Sequence, residues 1–226
     1  MAIFNTVYGG EPKWKPGSNT IAYYPLTSTT TTSDMKWSGT AYNLTNSGNV
    51  TFWTYNWVSC AYFNGTTNWY LYNTSLSFSY PSEQTVCVWM YISGTSSWVY
   101  QAIYHIWIVG WTWKLGSWFR YGTWLSLSGW TGSSEVIKSW NINWAWHLLA
   151  NITNWNSSIQ YLDWVQYQSN TNSLSATQSG IYLWGAQNTS SDRLTWYESE
   201  LIVENKARTS DKVMAYYNQT KSNYGL

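Results

Sequence analysis

The chain has 226 residues, only 9% of them charged, and a formal net charge of +1. That balance excludes the electrostatic footprint of a nucleic-acid or anionic-membrane binder, and no apolar run approaches the roughly 18 residues a membrane helix requires. Solubility must come from uncharged Ser, Thr and Asn, a surface common on extracellular and virion proteins and unusual in a cytosolic enzyme.

Residues 1–18 read as an arm or attachment segment. Gly9-Gly10, Pro12 and Pro16-Gly17 punctuate it, and no apolar period runs through it. Its start, Met1-Ala2-Ile3-Phe4-Asn5-Thr6, has neither a charged n-region nor an apolar h-region, so no secretory signal is visible. An extracellular-type surface without that signal leaves three readings: a mature fragment, another export route, or a virion component assembled inside a host cell. The last needs the fewest assumptions.

Residues 19–226 read as one sandwich domain, a length sufficient for a sizeable core. Ile21–Leu26 is aromatic and extended, with Pro25 suited to a strand end. Further strands are predicted at Val58–Phe63, Thr85–Ile92, Trp146–Thr153, Ile159–Asp163, Gly180–Gly185 and Leu194–Val203. All are short, rich in Tyr, Val and Ile, and bounded by Asn, Gly and Ser. In the second of these, Val86, Val88 and Met90 share one face and Cys87, Trp89 and Tyr91 the other. Many strands without intervening helices point to an all-β, two-sheet antiparallel sandwich or a barrel. One short helix closes the chain: Thr209 or Ser210 caps it, Asp211 suits its positive end, and Val213, Met214, Tyr216 and Tyr217 form its apolar side. Lys206, Arg208, Asp211 and Lys212 read as a solvated helix entrance.

Cys60 and Cys87, the only cysteines, lie in apolar strand-like runs and read as buried small hydrophobes, with one disulfide as the alternative. Two cysteines and two distant histidines exclude a structural zinc site. Asn-x-Ser/Thr sequons occur at eight positions: Asn43, Asn49, Asn64, Asn73, Asn151, Asn156, Asn188 and Asn218.

The 20 tryptophans are several times ordinary usage, and their places are the anomaly. Trp57, Trp69, Trp144 and Trp155 follow Asn and Trp164 follows Asp, where hairpin turns call for glycine. A bulky side chain at positive φ is a steric outlier. Some bacteria and their viruses read UGA as glycine, whereas a common alternative code reads it as tryptophan. Most of these positions are therefore expected to be glycine in the natural protein, with Trp89 and Trp146, inside apolar strands, as true tryptophans. The other reading is a domain whose indoles are real, some of them stacking on sugars.

Several segments together resemble the concanavalin A-like lectin/glucanase superfamily, in its laminin-G-like branch. Ala61-Tyr62-Phe63-Asn64-Gly65-Thr66 is similar to the family's "AYFDG" element, Thr85–Trp89 to "TISAW" and Trp146–Ala150 to "WHHVA". Tyr161–Val165 resembles "YVDGV" with Trp164 in the glycine position, Trp184-Gly185 resembles "LGG", and Trp196–Val203 resembles "GYIDEVRIY", again with Trp for Gly. The resemblance runs from about Ile21 to Leu226 and implies a jelly roll that frequently binds carbohydrate, in some relatives with calcium, for which Asp163 is the candidate ligand here.

A retaining glucanase on this fold needs two carboxylates about 5 Å apart over one cleft. Glu198, Glu200 and Glu204 would share a face of an unbroken strand, but no Asp stands between the glutamates as in the glucanase pattern, and the family equivalent of Glu200 is usually structural. A catalytic site is not expected. His105 and His147 read as core histidines. Arg120, Tyr121 and Asn64 are the candidate carbohydrate-binding residues. The expected function is a non-catalytic, lectin-like domain of a virion, phage tail or cell-surface protein with a glycan or glycoprotein ligand. The alternative is a self-assembly module that forms homo-oligomers through its arm. No cofactor is implied beyond a calcium ion.

Overall fold

The computed structural model describes residues 18–27, 42–47, 50–64, 70–78, 83–93, 101–108, 114–120, 124–128, 136–139, 144–154, 157–170, 178–184 and 195–226. Fifteen strands precede a single helix among them. They are β1 Thr20–Tyr24, β2 Thr45–Ser47, β3 Thr51–Tyr55, β4 Val58–Phe63, β5 Tyr70–Phe78, β6 Glu83–Ile92, β7 Gln101–Ile108 and β8 Lys114–Arg120, followed by β9 Trp124–Ser128, β10 Val136–Ser139, β11 Trp146–Asn154, β12 Ser157–Leu162, β13 Val165–Asn170, β14 Gln178–Trp184 and β15 Trp196–Glu204. Helix α1 spans Ser210–Thr220 and runs into a 3-10 turn at Lys221–Tyr224.

Two antiparallel sheets form a jelly-roll sandwich. Sheet A has the order β13-β12-β11-β6-β15-β4-β3, with β1 also paired to β15, and sheet B the order β10-β9-β8-β7-β14-β5-β2. The core lies between them: Val86, Val88, Met90 and Ile92 of β6 meet Ile103, Tyr104, Ile106, Ile181 and Leu183 of sheet B in one buried cluster. A second cluster lies on the other side of sheet A, where Cys87, Trp89 and Tyr91 face Val213, Tyr216 and Tyr224 of the C-terminal segment. The predicted two faces of β6 are thus both buried, one by sheet B and one by α1. That is why the segment reads as a near-continuous apolar run rather than an alternating one. Asn151 on β11 donates to the Tyr104 hydroxyl on β7, a polar bridge between the sheets inside this core.

The predicted strands fall within observed ones, with corrections at their ends. Pro25 and Leu26 lie beyond β1, Asp163 leaves the strand and sits in the β12–β13 turn, and Gly185 and Leu194 lie outside the described residues, as does the predicted arm apart from Ser18. Thr209 is the helix N-cap residue, but its side chain makes no capping bond; its carbonyl instead accepts from Lys212 and Val213. Met214, expected on the apolar side of the helix, is 39% exposed, because Val213 and Tyr216 already meet the sheet. The helix entrance is not simply solvated. Arg208 Nε and an Arg208 terminal nitrogen donate to the two Glu204 oxygens at 2.5 and 2.6 Å, while Thr85 Oγ1 donates to the Lys206 carbonyl and accepts from Arg208 N–H. These bonds fasten the start of α1 to β6 and β15.

The turns carry the tryptophan anomaly into three dimensions. Tyr55 pairs with Val58 and Leu162 with Val165, so Asn56-Trp57 and Asp163-Trp164 are two-residue hairpin loops. Their φ angles are +47° and +69°, and +50° and +69°, positive at both central positions as a type I′ turn requires. Trp144 has φ +67°. All three indoles are exposed, Trp57 at 97%. Trp89, Trp146 and Trp196, by contrast, are buried in strands. Trp196, which the resemblance noted above sets against a glycine, stacks on Phe63 with centroids 4.9 Å apart. Trp69 and Trp155 lie outside the described residues.

Gly180 shows what a required glycine looks like. It sits at φ +79° in the β14–β5 irregularity, and a Cβ there would meet the Asn73 carbonyl oxygen at 2.8 Å. Gly180→Ala is expected to lower the unfolding free energy by about 2 kcal/mol. Trp57→Gly and Trp164→Gly should each raise it by about 1 kcal/mol, by relieving a left-handed backbone. Urea titration of the three variants checks both signs.

Candidate functional site

The three glutamates of β15 test the catalytic reading. The register of β15 against β6 shifts between Ser199 and Leu201, and Glu200 takes φ +54° there. A bulge of this kind breaks the period-two alternation. Trp196, Leu201 and Val203 consequently face the inter-sheet core, while Tyr197 and Ile202 face the helix side. Glu198 falls on the Trp196 side of the strand and is wholly buried; Glu200 and Glu204 fall on the other side. The expected single row of carboxylates does not exist.

Each carboxylate has a local partner. Glu198 Oε1 accepts from the Trp196 indole N–H at 2.8 Å, and its other oxygen has no partner among the described residues. Burial pushes its pKa up to about 8, with the indole bond pulling the other way, so the group is held as a neutral acid at neutral pH. Glu200 accepts from Tyr23 at 3.1 Å and from Tyr224 at 3.4 Å, and its backbone N–H reaches the Pro25 carbonyl. It therefore ties β1, β15 and the C-terminal turn together. Burial raises its pKa, and the tyrosine hydroxyls lower it. Glu204 is held by Arg208 and is 1% exposed. The arrangement supplies no acid–base pair across a cleft.

His147 is not an isolated core histidine. Its Nδ1 lies 2.5 Å from Asp163 Oδ2, while Asp163 Oδ1 accepts from the Leu148 N–H at 2.9 Å. Pairing of Leu149 with Leu162 brings the two together from β11 and the β12–β13 turn. Both Asp163 oxygens are thereby engaged in holding the turn and the imidazole. Among the described residues no three His, Cys, Asp or Glu side chains are grouped to hold a metal ion.

Arg120 ends β8 in sheet B, Asn64 follows β4 in sheet A, and Tyr121 lies outside the described residues. Cys60 and Cys87 are free and buried, on strands separated by β15, and burial pushes the Cys60 thiol up to about 12 and raises that of Cys87 as well. Of the sequons, Asn151 is 5% exposed and bonded across the core, which closes it to modification in the folded chain, while Asn43 and Asn218 are exposed.

What the structure gathers instead is tyrosine. On the outer side of sheet A, Trp53, Tyr62, Tyr197, Tyr55 and Tyr91 form a continuous run with successive centroids 5.7, 5.0, 4.3 and 4.7 Å apart. It passes through Trp146 to Tyr224 and so beneath the C-terminal segment. On sheet B, Tyr72 and Tyr182 face one another across β5 and β14, rings 5.7 Å apart and within 11° of parallel, with Tyr70 5.4 Å from Tyr72. All three are half-buried, and they alternate with Leu71, Ile181 and Leu183, which are fully buried in the core. Burial raises the Tyr182 pKa, with Tyr70 and Tyr72 adding to the effect. Sequence reasoning missed this group, although Tyr70-Leu71-Tyr72 and Ile181-Tyr182-Leu183 carry the period-two signal that finds it.

No family model and no curated protein matches the chain. Solved structures do. The binding domain of Paraclostridial Mosquitocidal Protein 1 superposes with a TM-score of 0.69 at 14% identity, over 89% of this chain and 52% of that one. The binding domain of botulinum neurotoxin DC, in complex with rat synaptotagmin II, gives 0.70 at 13% identity over 91% and 52%. The ligand-binding domain of botulinum neurotoxin serotype D, in complex with N-acetylneuraminic acid, gives 0.69 at 14% over 89% and 51%. The chain spans about half the length of these chains, and the likeness is one of fold.

Glu198 generates a pH dependence. Its folded pKa, about 8, lies above the ordinary 4.5, so its contribution to stability is full below about 4.5 and is lost as pH rises to about 8. The difference in unfolding free energy between wild type and Glu198→Gln should therefore shift against the wild type across that window and level off above it. Denaturant titrations at a series of pH values measure the difference.

Proposed function

We propose that this chain is a non-catalytic carbohydrate-binding domain, lectin-like and of the laminin-G-like kind, displayed on a virion, phage tail or cell surface. The observation that carries the proposal is the division of the β15 glutamates: Glu198 faces inward, Glu200 and Glu204 outward, and each is held by a neighbouring side chain. A sandwich whose β15 carboxylates are not paired across a cleft, yet which carries half-buried tyrosines at its surface, suits adhesion to sugars better than their hydrolysis. Proteins of similar fold include one complexed with N-acetylneuraminic acid and one with synaptotagmin, which fits a glycan or glycoprotein ligand. Residues 1–18 serve in this reading as the attachment arm.

The wild-type protein is expected to bind at least one glycan on an array saturably, and to release no reducing sugar from it. Binding measured with and without a chelator shows whether calcium contributes. Hydrolysis abolished by Glu198→Gln or Glu200→Gln would replace the binding reading with an enzymatic one. Loss of oligomers on removal of residues 1–18, with no glycan bound by either form, would favour the self-assembly module.

The turn geometry supports a second reading, concerning the residues themselves. Trp57, Trp144 and Trp164 hold positive φ with their indoles in solvent, the conformation glycine adopts without cost. In this reading they stand at glycine positions of the natural protein, written by UGA codons, and are not sugar-stacking platforms. Mass spectrometry of peptides from the natural source covering residues 50–60 and 157–170 should find glycine at 57 and 164. UGG codons at those positions would contradict it.

A further inference from the structure

We propose that the outer face of sheet B, centred on Tyr72 and Tyr182, is the glycan site of this domain and takes an uncharged oligosaccharide. The proposal rests on the glycan-binding reading above and adds the place and the ligand class.

The register of the sheet defines the site. Thr45 pairs with Tyr72, Tyr72 with Tyr182, Tyr182 with His105, His105 with Gly116, and Gly116 with Ser128. These six positions lie on one line across β2, β5, β14, β7, β8 and β9. Five strand spacings of about 4.8 Å make the line about 24 Å long, room for several linked sugar rings. The three positions of the line whose side chains are described, Thr45, Tyr72 and Tyr182, carry no charge and offer a formally charged sugar no ion pair.

The chemistry follows from the rings. A pyranose presents a face of C–H groups and a rim of hydroxyls, so it matches an aromatic ring beside small polar groups. Tyr72 and Tyr182 are near-parallel with centroids 5.7 Å apart, too far for full overlap, so the two rings are staggered rather than hidden behind one another. Tyr70, at 43° to Tyr182 and 50° to Tyr72, adds a tilted third ring. Thr45 is exposed at one end of the line. None of these tyrosines depends on how the tryptophan codons are read.

The other aromatic surface is a weaker site. On sheet A the Tyr55 ring stacks on Tyr197 at 4.3 Å and 15°, which covers the face a sugar would use, and Tyr91 is only 4% exposed. An extended peptide is also a poor match for the sheet B face. β14 has neighbours on both sides, so its backbone groups are already paired and it offers no edge for strand addition.

The test is fluorescence polarisation of the full chain against labelled neutral cello-, xylo- and chito-oligosaccharides and against sialyllactose. Five proteins are compared: wild type, Tyr72→Ala, Tyr182→Ala, the ring-preserving Tyr72→Phe/Tyr182→Phe, and Tyr62→Ala on the opposite sheet, each checked for a native melting transition. Wild type should bind a neutral probe, each alanine variant should weaken it by about tenfold or more, and the phenylalanine and Tyr62 variants should stay within about threefold of wild type. Alanine variants that bind the neutral probe like wild type would overturn this site while leaving the glycan-binding reading intact. Wild-type binding confined to sialyllactose would overturn the uncharged ligand class. Wild-type binding to none of the probes would overturn the proposal, and a blank glycan array would take the parent reading with it.

Discussion

The bulge in β15 is the constraint on which the rest of the structure depends. β15 lies between β6 and β4 and also receives β1, so one strand sets the register of most of sheet A. At Glu200 the backbone turns left-handed, φ +54°, and the alternation of faces changes phase. On one side of the bulge Glu198 drops into the core beside Trp196; on the other, Glu200 and Glu204 face the helix side. The strained residue also fastens the fold, since the Glu200 carboxylate receives Tyr23 and Tyr224 and its N–H reaches Pro25. A left-handed conformation at a non-glycine residue costs of order 1–3 kcal/mol, and it persists where the surroundings over-determine it.

From this follows the division of labour between the two sheets. Sheet A is buried on both sides through its centre, by sheet B within and by α1 and the C-terminal turn without. Its polar groups are accordingly structural: Arg208 on Glu204, Thr85 on the helix entrance, His147 on Asp163. Among the described residues, no helix packs on the outer side of sheet B, where Tyr70, Tyr72 and Tyr182 are half-exposed over a core of Leu71, Ile181 and Leu183. A surface low in charge and rich in tyrosine suits a ligand recognised by ring faces and hydroxyls rather than by ion pairs.

Much of the fold was legible in the sequence because it is written in period-two patterns and runs of apolar residues. The two faces of β6 and the positions of β4 and β11 follow from Val, Cys, Trp and Tyr in alternation, and the dipeptides Asn56-Trp57 and Asp163-Trp164 marked turns that do have positive φ. The face of the glutamates was not legible, since a bulge at a glutamate flanked by serine and leucine leaves no glycine to announce it. β5 and β8–β10 were missed because serine, asparagine and tryptophan dilute their apolar pattern. The His147–Asp163 pair was hidden by its sixteen-residue separation and appears only once β11 pairs with β12. Arg120, Tyr121 and Asn64 were chosen for residue type alone.

The most direct measurement is a two-dimensional NMR titration of the tyrosine-labelled and tryptophan-labelled protein with a neutral oligosaccharide that it binds. Ring resonances of Tyr70, Tyr72 and Tyr182 should shift saturably while the indole signals of Trp57, Trp144 and Trp164 stay in place. Shifts confined to those indoles, with the sheet B tyrosines unmoved, would contradict both the site and the view that the turn tryptophans stand in for glycine.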